Sequence, residues 1–192
     1  MSTEMRIRRA VEDDIPQLQI LIDASVRALQ AEDYSASQID HALQTVFGVD
    51  RLLIADGTYF VVQARTPAAA PNDSTSRWVI AGCGGWSRRK KLYGGDAWTE
   101  QRIELLDPKA DAAKIRAFFI APEWARMGVG SQILQACEDA AFAESFRRFE
   151  MGATLTGVKL FAARGYSEQE RILLDIGGGE SIQVVRMEKQ IS

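Results

Sequence analysis

The sequence has few of the residues that build metal centres, disulfide frameworks or membrane spans. Its one histidine, His41, nearly excludes a histidine-built metal site, so no metal is expected. The two cysteines, Cys83 and Cys137, lie far apart in apolar segments without a CxxC partner, which predicts buried free thiols in a cytoplasmic protein. No apolar run approaches the roughly 18 residues of a membrane helix, and residues 1–14 lack the apolar core of a signal peptide. We therefore expect no membrane partner.

The composition is that of a folded, soluble chain without an excess of positive charge. Hydrophobic residues make up 46% of the 192 positions and charged residues 26%, which excludes a disordered chain. The length suits a single domain that spans residues 1–192. The formal net charge is −3, and nucleic-acid binding needs a concentrated positive field, so no nucleic-acid partner is expected.

Hydrophobic periodicity divides the chain into strand-like and helix-like segments. Alternating or β-branched patterns predict seven strands, at 5–10, 58–65, 77–86, 114–121, 147–153, 166–176 and 181–191. Apolar residues at helical spacing predict helices after Asp13, over about 37–47, after Gly130 and over about 157–164. One central βαβ unit among hairpins predicts an α/β fold (α+β by some schemes), in which helices pack on a mixed sheet.

Residues 122–130, PEWARMGVG, lead from a predicted strand directly into a predicted helix. The first N–H groups of a helix have no partner within it and attract anions. Gly128 and Gly130 would let a phosphate approach the backbone, and Arg126 adds a positive charge. The lysine of a Walker A loop and the third glycine of a dinucleotide fingerprint are both absent. The segment is therefore either a phosphate site of another kind or a tight turn that packs helix on strand.

Three segments resemble the GNAT superfamily of acetyl-CoA-dependent N-acyltransferases. That family's signature is Arg or Gln, two residues, Gly, one residue, then Gly or Ala, between the fourth strand and the following helix. FFIAPEWARMGVGSQIL matches it at Gly128 and Gly130, but Ala125 takes the Arg/Gln position and Arg126 comes one residue later. IRRAVEDDIPQLQIL resembles the family's opening strand and helix, and GVKLFAARGYSEQER resembles its last helix and strand. The resemblance thus covers nearly the whole chain.

The resemblance implies a fold and a cosubstrate. The sheet would be mostly antiparallel, with about seven strands, helices on both faces, and two splayed parallel strands at its centre. Acetyl-CoA would lie between those strands, with its pantetheine arm paired to the main chain of Phe119 and Ile120. Its pyrophosphate would contact the loop, which supplies Arg126, Met127, Gly128, Val129, Gly130 and Ser131.

The resemblance also implies a reaction. A neutral amine of a small molecule or peptide would attack the thioester directly, in a ternary complex. Catalysis would rest on positioning of the two reactants and on a backbone N–H near the fourth strand that stabilises the oxyanion. Many relatives are homodimers, which makes a homodimer one expectation, although the sequence leaves the oligomeric state open.

The sequence departs from the family where a proton must reach the leaving thiolate. The tyrosine that supplies it in many relatives falls at Phe161, and an asparagine that contacts the cofactor falls at Thr154. Three alternatives follow: water protonates the thiolate, another hydroxyl such as that of Tyr166 or Tyr93 replaces the tyrosine, or the protein binds CoA and catalyses little. The third alternative is a coenzyme A-binding sensory or regulatory domain.

Other candidates each have a structural alternative. Glu104 or Glu100 would accept the amine proton through water, unless both are solvated surface charges. Arg116 faces either the substrate cleft or the surface, and Trp86 and Tyr93 either line an acceptor pocket or pack elsewhere. The basic run 88–91 binds either an acidic group, such as the 3′-phosphate of CoA, or solvent. A third functional alternative is a nucleotide-binding protein that uses the same glycine loop.

Overall fold

The seven predicted strands form one mixed sheet in the computed structural model, which describes residues 4–66, 77–90 and 104–191. The order across the sheet is β1-β2-β3-β4-β5-β7-β6, and only the β4–β5 pair is parallel. The strand bounds are β1 Met5–Arg9, β2 Tyr59–Arg65, β3 Trp78–Ser87, β4 Ala113–Ile120, β5 Arg148–Thr154, β6 Ser167–Gly177 and β7 Glu180–Gln190. The seven predicted strands and the mixed sheet with helices packed on it are confirmed.

Five helices flank the sheet among the described residues: α1 Ile15–Leu29, α2 Ala36–Thr45, α3 Arg51–Ala55, α4 Val129–Ala143 and α5 Val158–Ala163. Helix α2 starts at a capping box, in which Ser35 and Gln38 each accept a hydrogen bond from the other's backbone N–H. Helix α3 was not predicted, because five residues are too few to show a helical period. Its start is fixed by Asp50, which accepts a hydrogen bond from the Leu53 N–H at 3.1 Å.

The two central parallel strands separate soon after they begin. Strands β4 and β5 pair only over residues 113–115 and 149–151, and then diverge. On its other side β4 carries a bulge, because the register passes from Cys83↔Phe119 to Gly85↔Arg116. Two residues of β4, Ala117 and Phe118, therefore oppose the single residue Gly84 of β3. The extra residue bends β4 away from β5, and the splay expected from the family resemblance is present.

The core lies between the sheet and the helices on its two faces. Helix α1 contacts β3 and β4, α2 contacts β6 and β7, and α4 contacts β2, β3 and β4. Glycines in β3 allow close packing: a Cβ on Gly84 would lie 2.5 Å from the Phe118 ring and 2.8 Å from Ile133 of α4. Both cysteines are buried free thiols, as predicted. Within the described ranges, no helix is long and apolar enough to cross a membrane.

Candidate active site

The divergence of β4 and β5 opens a cleft of about 790 Å³. Its walls are residues 115–120 of β4 and 151–154 of β5, and its ends are formed by the start of α4 and by the segments 28–33 and 46–50. The apolar and main-chain groups of the strands thus lie between two polar ends. A long, flexible ligand with one anionic end fits such a cleft better than a compact one.

The start of α4 forms the anion-receptive end of the cleft. Gly128 precedes the helix with φ +85°, a left-handed conformation that a residue with a Cβ adopts only with strain. A Cβ there would meet no protein atom within 4 Å, so the space beside Gly128 is open. The first intrahelical bond runs from the Gln132 N–H to the Gly128 carbonyl, which leaves the N–H groups of residues 129–131 without helical partners. These groups lie where a phosphate would be stabilised.

Basic side chains surround this helix start. Arg126 lines the cleft with φ +64° and is exposed, one residue later than the family pattern, as the sequence indicated. Lys159 also lines the cleft, and Arg164 donates from Nε to the Ser131 Oγ at 3.1 Å. Sequence reasoning missed both of these cations, because they belong to α5 and its end and only the fold brings them to the loop. Of the predicted loop residues, Met127 alone does not line the cleft.

The main chain of β4 supplies the polar groups of the cleft wall, but from a different set of residues than expected. Phe119 pairs with Cys83 of β3, and its carbonyl oxygen lies beside Gly82. Its main-chain groups therefore face β3, which corrects the expectation that they face the cofactor. Because the sides alternate along a strand, the main chain of Ile120, which lies outside the bulge, faces away from β3 and toward the cleft that this residue lines. The Ile120 N–H donates to the Ser25 Oγ at 3.2 Å.

Phe161 lies where the family resemblance placed it, in the wall of the cleft. Its ring makes edge contacts with the rings of Phe118 and Tyr166, at centroid distances of 5.7 and 6.0 Å. Three of the four tyrosines lie in described parts of the chain, and none of these three lines the cleft. Tyr93, the fourth, lies outside the described residues.

The hydroxyl of Tyr166 cannot replace the missing tyrosine, which corrects that hypothesis. The side chain is 4% exposed and donates a hydrogen bond to the Glu138 Oε1 at 2.9 Å. The other oxygen of Glu138 accepts from the Lys189 Nζ at 2.7 Å, which closes a buried polar cluster away from the cleft. Burial and the nearby carboxylate raise the pKa of Tyr166 far above its ordinary value. The hydroxyl is therefore bound within the fold.

Two further candidates lie outside the cleft. Glu104 is 73% exposed and pairs with Lys90 at 2.7 Å, so it is a surface ion pair and not a base beside the thioester; Glu100 lies outside the described residues. Trp86 is 1% exposed and packs edge-on against Phe146, which makes it part of the core and not of an acceptor pocket. In the basic run, residues 88–90 form ion pairs with Glu144, Asp56 and Glu104.

Arg116 does line the cleft, where it forms a buried ion pair. Its Nη2 lies 3.0 Å from the Asp50 Oδ2, and both side chains are less than 10% exposed. Asp50 also begins α3, so a single carboxylate ties β4 to the segment between α2 and α3. The contact between Asp50 and Arg116 could not be predicted from the sequence, because the two residues are far apart along the chain. If either charge were removed, the other would stay buried without this ion pair to offset the cost of its desolvation, so the free energy of unfolding should fall.

The two protein thiols are expected to be unreactive in the folded state. Both are fully buried, and burial raises the pKa of Cys83 to about 12 and that of Cys137 well above its usual range. Since the thiolate is the reacting form, the native protein should not react with a colorimetric disulfide reagent at neutral pH, whereas the unfolded chain should release two equivalents. Rapid reaction of the native protein would contradict this assignment of the cysteines. Because the protein thiols should not react, the same reagent would measure the thiol of released CoA without a contribution from the protein.

Comparisons with known proteins agree with this geometry. A model of the acetyltransferase (GNAT) family matches residues 25–166. No curated protein matches the chain. Among solved structures, a GCN5-related N-acetyltransferase from Rhodopseudomonas palustris is 20% identical, with a TM-score of 0.67 and coverage of 100% of this chain and 98% of that one. The PaiA N-acetyltransferase from Thermoplasma acidophilum, solved with coenzyme A, is 13% identical, with a TM-score of 0.60 and coverage of 98% and 99%.

A ribosomal-protein-alanine N-acetyltransferase from Brucella melitensis is 15% identical, with a TM-score of 0.58 and coverage of 97% and 99%. At these identities the structural likeness shows a common fold over nearly the full length of both chains. The family model adds a match in sequence that spans more than half of the chain and includes the glycine loop. The chain therefore belongs to the GNAT acetyltransferase family and is an acyltransferase.

Proposed function

We propose that the protein transfers the acetyl group of acetyl-CoA to a primary amine of a small molecule or peptide, by direct attack in a ternary complex. The observation that carries this proposal is the pairing of an open, anion-receptive start of α4 with the splayed main chain of β4. The pyrophosphate would lie at the N–H groups of Val129, Gly130 and Ser131. Arg126 and Lys159 lie beside that position with compensating charge.

The pantetheine arm would follow β4 toward the point where the strands meet. Main-chain groups of Phe118 and Ile120 lie along this path, and we assign contacts with the arm to them. The thioester would then lie near the bulge at Ala117, and we assign the Phe118 N–H as the donor that stabilises the developing oxyanion. The similar PaiA N-acetyltransferase was solved with coenzyme A, which supports coenzyme A as the ligand of this fold.

The acceptor amine would enter from the end formed by α1 and the α2–α3 segment. Three carboxylates line that end, those of Glu32, Asp33 and Asp50, together with Arg116. One of these carboxylates, in place of Glu104, is the candidate to accept the amine proton through water, since proton transfer needs a group within reach of the reacting nitrogen.

A second candidate function is a CoA-binding sensory domain with slow turnover. The observation that favours it is Phe161, together with the fact that none of the described tyrosines lines the cleft. Without a tyrosine hydroxyl among the described lining residues, the thiolate would take its proton from water, which the open cleft admits. Turnover decides between the two functions.

The test measures binding and turnover separately. Calorimetry with acetyl-CoA is expected to show one site per chain, and release of CoA thiol is then followed over a broad panel of amines, amino acids and peptides. Turnover that depends on one class of amine supports the acetyltransferase. Binding without thiol release from any amine would favour the sensor, and competition by ATP but not by CoA would favour a nucleotide site instead.

A further inference from the structure

Tyr59 is a buried tyrosine that the proposed reaction does not use. It begins β2, is completely buried, and lies across Gly85 of β3 to reach the neighbouring strand β4. Its hydroxyl lies 3.2 Å from the Ala117 carbonyl oxygen and 3.2 Å from the Cys83 Sγ. A buried hydroxyl needs a partner, and here the partner is the main chain of the bulged residue at the edge of the cleft.

Ala117 is held in a conformation that alanine rarely adopts. Its φ is +58°, in the left-handed region, where the Cβ of a non-glycine residue is strained. Strain of this kind persists only where surrounding contacts fix the backbone. The bulge against Gly84 is one such contact, and the hydrogen bond from Tyr59 to the Ala117 carbonyl is another.

The direction of the Ala117 carbonyl sets the direction of the next N–H. In a trans peptide the carbonyl oxygen of one residue and the N–H of the following residue point to opposite sides. No cis peptide occurs among the described residues. Since the Ala117 carbonyl is turned toward the Tyr59 hydroxyl, the Phe118 N–H is turned away from that hydroxyl, and both residues line the cleft.

We infer that Tyr59 is a positioning residue for catalysis: its hydroxyl holds the strained Ala117 peptide so that the Phe118 N–H points at the thioester carbonyl. This inference rests on the proposed acetyl transfer. An oxyanion donor stabilises charge only when its orientation is fixed before the reaction, so loss of the hydroxyl should reduce catalysis without removing any contact with CoA. Burial also raises the pKa of Tyr59 well above its ordinary value, which keeps the hydroxyl a neutral donor across the working pH range.

The first measurement compares Tyr59→Phe with Tyr166→Phe. Both changes remove one buried hydroxyl and its hydrogen bonds, so both should lower stability by a similar small amount. Only Tyr59→Phe is expected to lower kcat, about 10-fold, a fraction of the 10²–10³-fold that loss of a whole oxyanion donor costs. The affinity for CoA, measured by calorimetry, should not change in either variant. An equal kcat in the two variants would overturn the inference.

A second variant separates positioning from general stability. Adding Ala117→Gly to Tyr59→Phe should recover most of the lost kcat, because glycine adopts the left-handed conformation without strain. A purely structural role for Tyr59 gives no such recovery. If Tyr59→Phe alone does not fold, Ala117→Gly and Ala117→Val carry the test: the glycine variant should keep kcat, and the valine variant should lose about 10-fold or more, since a β-branched residue resists φ near +58°. Equal rates in these two would contradict the inference.

A spectroscopic measurement distinguishes failure of this inference from failure of the proposed function. The carbonyl ¹³C resonance of bound, labelled acetyl-CoA should shift downfield in the native protein, and less in Tyr59→Phe, whether or not any amine turns over. If the ¹³C shift falls in Tyr59→Phe but no amine turns over, the inference is supported and the acetyltransferase is not. If amines turn over, and neither the ¹³C shift nor kcat changes in Tyr59→Phe, the acetyltransferase is supported and the inference is overturned.

Discussion

Replacing Gly128 by glutamate is expected to weaken acetyl-CoA binding by about 1,000-fold, or roughly 4 kcal/mol. The new side chain would fill the open space beside the start of α4 and place a negative charge where the pyrophosphate is proposed to lie. It would also oppose the partial positive charge that the helix presents to an anion. Calorimetry with CoA measures the loss directly, and circular dichroism shows whether the variant stays folded.

Gly179 offers a matched control for this change. It lies in the turn between β6 and β7 with φ +77°, and a Cβ there also meets no atom within 4 Å. Gly179→Glu therefore adds the same charge and the same backbone strain, about 1–2 kcal/mol. Unlike Gly128, however, Gly179 does not line the cleft. Both variants should show a similar fall in melting temperature, and only Gly128→Glu should lose CoA binding. Retained affinity in Gly128→Glu would refute the assigned phosphate site.

The change Phe161→Tyr is expected to raise kcat about 10-fold, below the 10²–10⁴ range typical of a positioned general acid. Phe161 lines the cleft at the position that the family resemblance assigns to the tyrosine, and its ring makes edge contacts with Phe118 and Tyr166. The added hydroxyl would donate a proton to the leaving thiolate. Thiol release under saturating acetyl-CoA measures the gain, and the gain should disappear as the pH rises through the pKa of the new tyrosine, because only the protonated phenol donates.

Phe161→Leu serves as the control, since it alters the size of the side chain without adding a hydroxyl. It should give no gain in kcat at any pH. A rise in Phe161→Tyr from near zero to ordinary turnover would favour the sensory function for the native protein. An unchanged kcat would mean that water already supplies the proton, or that another step limits the rate, and would contradict the prediction.

The strands were predictable because each carries a local pattern. The segments that became β2 and β3 are rich in β-branched and aromatic residues, and the glycine turn at 177–179 separates the last two strands. Gly165 follows the end of α5 with φ +88°, a conformation that glycine adopts without strain. Helix α3 has too few residues for a period and depends on the cap at Asp50, so it was missed.

Side-chain roles were less predictable than strands, because they depend on which face or which distant segment a residue meets. Trp86 belongs to a strand buried on both faces, so alternation could not separate a core position from a pocket position. The sequence shows only that Tyr166 follows a predicted helix. The fold shows that its hydroxyl donates a hydrogen bond to Glu138 of α4. The Asp50–Arg116 pair and the approach of Arg164 to Ser131 likewise join segments far apart in sequence.

The short contact between β4 and β5 divides the sheet into two plates, β1 to β4 on one side and β5 to β7 on the other, joined by only three register pairs. A ligand arm bonded to both edges would act as the missing strand and fasten the plates together. Binding and folding are then coupled: at a ligand concentration 100 times the Kd, the folded state gains about 2.7 kcal/mol, or roughly 5–10 °C in melting temperature. The backbone amides beside the splay should be the first to gain protection from hydrogen exchange, whichever acceptor the protein acetylates.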